Sequence, residues 1–158
     1  MHAIRAPGSP RSQRGVYAIE FAMVFLIFFT VLYAVICYGM LFAFRLGLQN
    51  AAEDGARAAL QYQSNLGARV TRAEDVAKNR SDWMPQVMPP DVSICHVVPV
   101  AGVVDQCAPV YCGPTWSHRC QVHVVVEAKN IGSLLPPLPG FVVPDQIAGK
   151  ASMLLELR

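Results

Sequence analysis

Four cysteines cluster in the C-terminal half of the chain and could either bind a metal or pair as disulfides. They are Cys95, Cys107, Cys112 and Cys120. With His118 and His123 they could form a zinc site, but no C-x-x-C pair is present and the spacings do not follow the usual structural-zinc pattern. Clustered cysteines are typical of an oxidising compartment, where they pair. The sequence therefore favours two disulfides over a metal site, with three pairings open and Cys37 left as a free thiol.

The remaining candidates for chemistry do not form a catalytic set. His96, His118 and His123 have no Ser or Cys nearby in a recognisable nucleophile motif, and a lone histidine on a strand is usually a core or surface residue. We therefore expect no enzyme and no cofactor. The 13 basic residues are scattered, without the basic stripe or aromatic platform that nucleic acid requires. This pattern excludes the nucleic-acid-binding class.

An uncharged apolar run near the N-terminus explains the high apolar content of 53%. Residues 21–44 are 24 positions without a charge and without a polar face. A helix of that length reaches about 36 Å, whereas the hydrocarbon core of a bilayer is about 30 Å thick. The sequence predicts a transmembrane helix over residues 16–44, with the lipid bilayer as its partner.

The charges at the two ends of this run predict its orientation. Arg5, Arg11 and Arg14 precede it with no acid among them, while the bases that follow, Arg45 and Arg57, are interleaved with acids. Basic residues accumulate on the cytoplasmic side. We therefore expect a cytoplasmic leader over residues 1–15, a single pass through the inner membrane, and an exported, periplasmic C-terminal domain, in agreement with the cysteines.

Helical character continues beyond the apolar run. Residues 46–63 are rich in Ala, Leu, Gln and Arg and lack Pro, so the first helix is expected to continue through residues 45–66. Gly67 is the expected stop signal. A second helix is expected from Thr71, where Thr71 and Glu74 match a capping box. It is expected to end at Asp82 or Trp83 at the latest, because prolines follow.

Beyond residue 90 the hydrophobic period changes to two. Residues 92–100, 121–127 and 147–157 each alternate, which predicts three antiparallel strands. In the second strand one face carries Val122, Val124 and Val126, and the other carries Gln121, His123 and Glu127. The predicted class is α+β: a long N-terminal transmembrane helix that continues into a small disulfide-linked domain, residues 67–158, whose sheet packs on the emerging helix.

The entrance to the apolar run has a composition unlike an ordinary secretory signal. A basic leader ends in Gly15, and four residues, the first being Val16, separate it from Glu20 and Phe21. A secretory signal has a shorter apolar stretch with its cleavage site beyond it. The pattern resembles the processing site of type IV prepilins and pseudopilins. That resemblance implies cleavage after Gly15 by a prepilin peptidase, with Glu20 as the fifth residue of the mature chain. The alternative is that Gly15 only ends the leader and that Glu20 is an acid at the edge of the bilayer.

Two further segments narrow the resemblance. Residues 48–58, LQNAAEDGARA, are similar to the "Q-x-A-A-x-x-G-A-R" segment of the TadE-like pseudopilins of tight-adherence (Flp) pilus systems, and residues 148–156 resemble their closing strand. The resemblance implies a role in Flp pilus biogenesis, with a prepilin peptidase, other pseudopilins and the assembly platform as partners. The alternative is a signal-anchored periplasmic domain that binds a ligand or metal and is unrelated to pili.

Small residues recur at every fourth position along the predicted helix. They are Gly39, Ala43, Gly47, Ala51, Gly55 and Ala59. This spacing places them on one slowly drifting stripe, where a second helix can approach closely. The stripe can equally receive the protein's own sheet, and the spacing does not decide between the two.

Overall fold

A computed structural model describes residues 14–85, 87–97, 107, 112–115, 118–135 and 143–155. The element order is α1 (Arg14–Leu60), α2 (Leu66–Ser81), β1 (Asp91–His96), β2 (Cys120–Lys129) and β3 (Gln146–Leu155), with a short 3-10 helix at Ile131–Ser133. This confirms the predicted α+β class, with a long apolar N-terminal helix, a short helix and three antiparallel strands. The chain divides into two compact units, one ending at Gly39 and one beginning at Met40.

The first unit contains the apolar part of α1. Most of its large side chains are exposed; Val16 is 63% exposed and Phe21 is 69% exposed. Neighbouring rings stack along the helix, with centroids 5.8 Å apart for Phe21–Phe25 and 4.3 Å for Phe25–Phe29. In the described part of the chain, one helix, Val16–Leu60, is long and apolar enough to cross a membrane. Such exposure costs free energy in water and is favourable in lipid, which suits a membrane anchor.

The junction of the two helices differs from the prediction. α1 ends at Leu60, and Asn65 caps α2 by accepting a hydrogen bond from the Ala68 amide at 2.7 Å. Gly67 lies inside the first turn of α2, so its assignment as the stop of the first helix was wrong. Thr71 is also helical, and its hydroxyl donates to the Gly67 carbonyl at 3.2 Å, so the capping box was wrong as well. A short amide side chain earlier in the chain provides the cap instead.

The C-terminus of α1 has a cap that the sequence did not reveal. The Arg69 guanidinium donates to the carbonyls of Ala59 at 2.8 Å and of Gln61 at 3.1 Å. The last carbonyls of a helix lack partners within the helix, and a cation near them is favourable. Arg69 therefore closes α1 without the glycine that the prediction required.

The three strands form one antiparallel sheet in the order β1-β2-β3. β2 is central, and its residues alternate between buried and partly exposed as the period of two predicted. Each observed strand differs from its predicted range by a few residues at its ends. β1 ends at His96, whereas the prediction ran to residue 100; residues 98–100 and 156–157 lie outside the described part of the chain.

One hydrophobic core lies between the sheet and the second half of α1. Small side chains of α1 and α2 face the inward side of β2, and the sequence expectation of a sheet packed on the emerging helix is correct. The central members are Leu48, Ala52, Ala56, Ala73, Ala77, Val122, Val124 and Val126, each 0% exposed. Alanine on the helices lets their backbones approach the branched valines closely, which gives dense packing in a small domain.

Candidate functional site

The predicted processing residues lie in the first two turns of α1. Gly15 and Val16 are in its first turn, where backbone N–H groups have no partner within the helix, so opening this turn costs little. Val16, Glu20 and Phe21 are all exposed on the helix surface. The structure thus brings the four residues of the predicted site together at one helix end, and cleavage there stays a prediction.

The second half of α1 is fastened to the last strand by one side chain. The Gln49 amide nitrogen donates to the Lys150 carbonyl at 3.0 Å, and the Lys150 backbone N–H donates to the Gln49 amide oxygen at 3.1 Å. An amide side chain presents the same donor and acceptor as a peptide group, so Gln49 pairs with β3 as a neighbouring strand would. Unpaired strand edges attract other chains. Gln49 blocks this edge of β3 and joins the helix to the sheet.

A glycine one residue away makes that approach sterically feasible. A Cβ atom added at Gly149 would collide with the backbone carbonyl group of Leu48. Backbone atoms cannot move aside as a side chain can, so only glycine fits between β3 and α1 here. The two segments that carry the TadE-like resemblance therefore meet at this point, Gln49 with Lys150 and Leu48 with Gly149.

Most of the small-residue stripe is covered by the protein's own second unit. Ala51 and Ala59 are buried, and a Cβ added at Gly55 would lie 2.9 Å from the Ala77 Cβ and 3.3 Å from a Val124 methyl. A Cβ at Gly47 would overlap the Trp83 indole. Of the two explanations for the stripe, packing against its own domain therefore holds from Gly47 to Ala59.

The N-terminal end of the stripe is different. Gly39 has nothing within 4 Å of an added Cβ, and Ala43 is exposed. Packing against a partner helix stays a prediction for these two residues. The sequence showed the spacing of the stripe, but spacing alone does not say which surface lies opposite each residue.

The four clustered cysteines form two disulfides, Cys95–Cys107 and Cys112–Cys120, and Cys37 is a buried free thiol. This confirms two bridges and selects one of the three pairings. The bridges close segments with sequence separations of 12 and 8 residues. Both are anchored near the last rung of β1 and β2, where His96 pairs with Cys120. They fasten Cys107 and Cys112 to the end of the sheet, and no thiolate of the cluster is left for the zinc site.

Polar groups of α1 and α2 form a shallow groove on the surface. Arg80 of α2 contacts Asp54 of α1 at 3.0 Å, and Arg57 contacts Glu53 at 3.7 Å. These pairs are largely exposed, so each is worth little, about 0–1 kcal/mol. Within the described residues, no group of three or more His, Cys, Asp or Glu side chains could hold a metal ion.

A cavity of about 420 Å³ lies at the end of the domain that carries the disulfides. Its lining residues are Leu60, Arg69, Arg119, Leu154 and Leu155. Arg69 is already engaged with the carbonyls at the end of α1, so its charge serves the helix terminus.

Comparison with known proteins bears on the N-terminal part of the chain. A family model described as TadE-like protein matches residues 15–57. No curated protein and no solved structure matches the chain. The matched range begins at the predicted cleavage glycine and ends at Arg57 of the Q-x-A-A-x-x-G-A-R segment. It confirms the resemblance to the TadE-like family over this part of the chain.

Proposed function

We propose that this chain, whose residues 15–57 match the TadE-like family, is a pseudopilin or minor pilin that acts in the biogenesis of a Flp-type pilus. The observation that carries the proposal is the extent of that match. It covers the expected cleavage glycine, the apolar half of α1, and the segment by which Gln49 and Gly55 join α1 to the domain. The protein acts by association with other subunits rather than by catalysis.

The proposal assigns a separate task to each half of α1. The apolar half holds the protein in the inner membrane until assembly and then packs against other subunits. Its exposed aromatic and aliphatic side chains suit both environments, because neither lipid nor an apolar helix face competes for hydrogen bonds. The second half is occupied by its own domain and presents that domain outside the membrane.

Processing gives Glu20 a partner. Cleavage after Gly15 creates an α-amino group on Val16, about one helical turn from Glu20. A carboxylate at the edge of a bilayer is costly unless it is paired, and in low dielectric a pair between subunits is worth more than at a surface. We expect Glu20 to pair with the N-terminal amine of a neighbouring subunit during assembly, with the other pseudopilins and the assembly platform as partners.

The deciding experiment is an intact-mass measurement of the protein extracted from membranes. We expect the measured mass to be lower than that of the full chain by the mass of residues 1–15, with Val16 at the N-terminus. A Gly15→Leu variant provides the control, because a bulky side chain at the cleavage position should preserve the leader while leaving the apolar helix intact. The same wild-type protein made without the prepilin peptidase should also keep its leader.

The alternative function makes the opposite prediction for the wild type. A signal-anchored periplasmic domain unrelated to pili keeps residues 1–15 whether or not the peptidase is present. A retained leader in the presence of active peptidase would therefore reject the pseudopilin assignment. A reporter enzyme that is active only outside the cytoplasm, fused after Arg158, checks the orientation separately and should be active.

A further inference from the structure

Trp83 packs its indole on α1 from outside that helix and is still half exposed. It follows Asp82, the C-cap of α2, and its indole covers Gly47. Its ring centroid is 6.1 Å from that of Phe44. The indole nevertheless remains 53% exposed, whereas the next residue, Met84, is only 3% exposed. The turn after α2 therefore sends Met84 into the core and leaves Trp83 outside it.

The surroundings of the indole are apolar on one side and polar on the other. Phe44 lies on the side of the uncharged run, while Asn50, Asp54 and Arg80 line the groove that Trp83 borders on the other side. A tryptophan ring combines a large apolar surface with one N–H donor, and such rings concentrate where a bilayer meets water. The contacts of Trp83 match that boundary.

The position of Trp83 along α1 agrees with the same boundary. Phe44 is the last residue of the uncharged run, and Arg45, which is exposed, is the first charge after it. Gly47, under the indole, is three residues further, or about 4.5 Å along the helix. The headgroup layer adds roughly 5–8 Å to each side of the hydrocarbon core. An indole on Gly47 therefore lies within the headgroup layer when the uncharged run fills the core.

We propose that Trp83, with Phe44 beside it, inserts into the headgroup layer of the phospholipid bilayer, as a second membrane contact that the domain makes in addition to the transmembrane part of α1. The inference rests on the proposed membrane span. We assign lipid as the partner because the surface formed by Trp83 and Phe44 directly adjoins the uncharged run and ends in a polar groove at headgroup level.

The test uses tryptophan fluorescence of the full chain reconstituted in phosphatidylcholine–phosphatidylglycerol vesicles. The protein has two tryptophans, so a Trp116→Phe variant reports on Trp83 alone. Bromine atoms on the lipid chains quench a tryptophan that they contact. We expect quenching of Trp83 that is strong with bromines near the headgroup and weaker with bromines near the chain ends, together with poor quenching by aqueous iodide. The difference between the wild type and Trp83→Phe gives the same measurement without altering residue 116.

A second protein with a single tryptophan separates this inference from the membrane span on which it rests. In Trp83→Phe/Trp116→Phe/Phe29→Trp, the reporter indole lies in the apolar half of α1 and should be quenched best by bromines near the chain ends. If this reporter is quenched and Trp83 is instead fully accessible to iodide, the headgroup contact is rejected and the span stands. If neither is quenched, both are rejected. If the quenching of Trp83 changes with protein concentration at fixed lipid, a second copy of the chain rather than lipid contacts Trp83, and the proposal is rejected.

Discussion

The two halves of α1 bury their apolar side chains in different surroundings and use side chains of different size to do so. Up to Gly39 the helix carries Phe, Leu, Ile and Val side chains that are mostly exposed, whereas the buried apolar residues from Leu48 to Ala59 are mainly alanine. Large side chains gain most from transfer into lipid, because each buried methylene is worth about 0.8 kcal/mol. Small side chains gain little by transfer but let a sheet approach the helix backbone. Side-chain size, rather than hydrophobicity alone, therefore distinguishes the part of the helix that meets lipid from the part that meets its own domain.

The strongest test of this contrast is a matched pair of glycine substitutions. Gly149→Ala places a methyl group against the Leu48 backbone, and we expect it to lower the free energy of unfolding by about 3 kcal/mol or more. Gly39→Ala meets nothing within 4 Å and should cause no loss, with a gain of up to about 1 kcal/mol from helix propensity. Denaturant unfolding of the detergent-solubilised proteins, followed by near-UV circular dichroism, measures both. Equal losses in the two variants would mean that both halves of α1 are packed alike.

The disulfides should provide the next largest effect, because they constrain only the domain. Removing one bridge with Cys112→Ala/Cys120→Ala should cost about 2–4 kcal/mol and leave membrane extraction unchanged. Alkylation of the denatured, unreduced wild type should modify Cys37 alone, and prior reduction should raise the count to all five cysteines. Additional reactive thiols before reduction, or stoichiometric zinc, would contradict the two bridges.

The Gln49 contact with β3 should have a smaller and more local effect. Gln49→Ala removes two hydrogen bonds that are partly exposed, so we expect a loss of about 1 kcal/mol. The amide of Lys150 should then exchange its hydrogen faster, because it loses its acceptor. Asn50→Ala, at the exposed neighbouring position, is the control and should change neither the stability nor the exchange of Lys150. Unchanged exchange in Gln49→Ala would show that β3 does not depend on this side chain.

Glu20 should have the smallest effect on stability and a large effect on assembly. Glu20→Ala removes a charge from the edge of the apolar run, so membrane insertion and unfolding of the domain should be unchanged. Pilus output should nevertheless be lost, through the missing pair with a neighbouring amine or through poorer recognition by the peptidase. Asp75→Ala, which removes an exposed carboxylate from α2, is the control and should leave pilus output normal. Normal pili from Glu20→Ala, after normal insertion and cleavage, would deprive the pseudopilin proposal of its main chemical support.

The sheet could be predicted from sequence because strand periodicity survives packing. The inward valines of β2 are the alternate residues of a polar-apolar pattern, and burial follows that pattern residue by residue. The ends of the helices were predicted less well because several residues carry competing signals. Gly67 matched a helix stop and Thr71 a capping box, but Asn65 offers its side chain to the Ala68 amide first. The true cap for the end of α1, Arg69, comes from the following helix and has no local signature.

The residues of the candidate site could be predicted from the sequence, but the residues that they contact could not. Gly15, Glu20 and the small-residue stripe are visible in the sequence, and the structure places them on one helix. However, Gly55 and Gly149 look alike as glycines, although one faces a helix and a valine methyl and the other faces a backbone carbonyl. The disulfide pairing was likewise beyond the sequence, because four cysteines allow three arrangements with no local preference.

The pairing of Gln49 with Lys150 also determines when, during synthesis, this part of α1 can be covered. The two residues are 101 positions apart, and a ribosome adds roughly 5–20 residues per second. About 5–20 s therefore pass between the synthesis of this part of α1 and the synthesis of the strand that covers it. During that interval the face of α1 at Leu48 and Gln49 is open, and it is closed once β3 docks against it. A partner that uses this face must therefore arrive before the last strand is made.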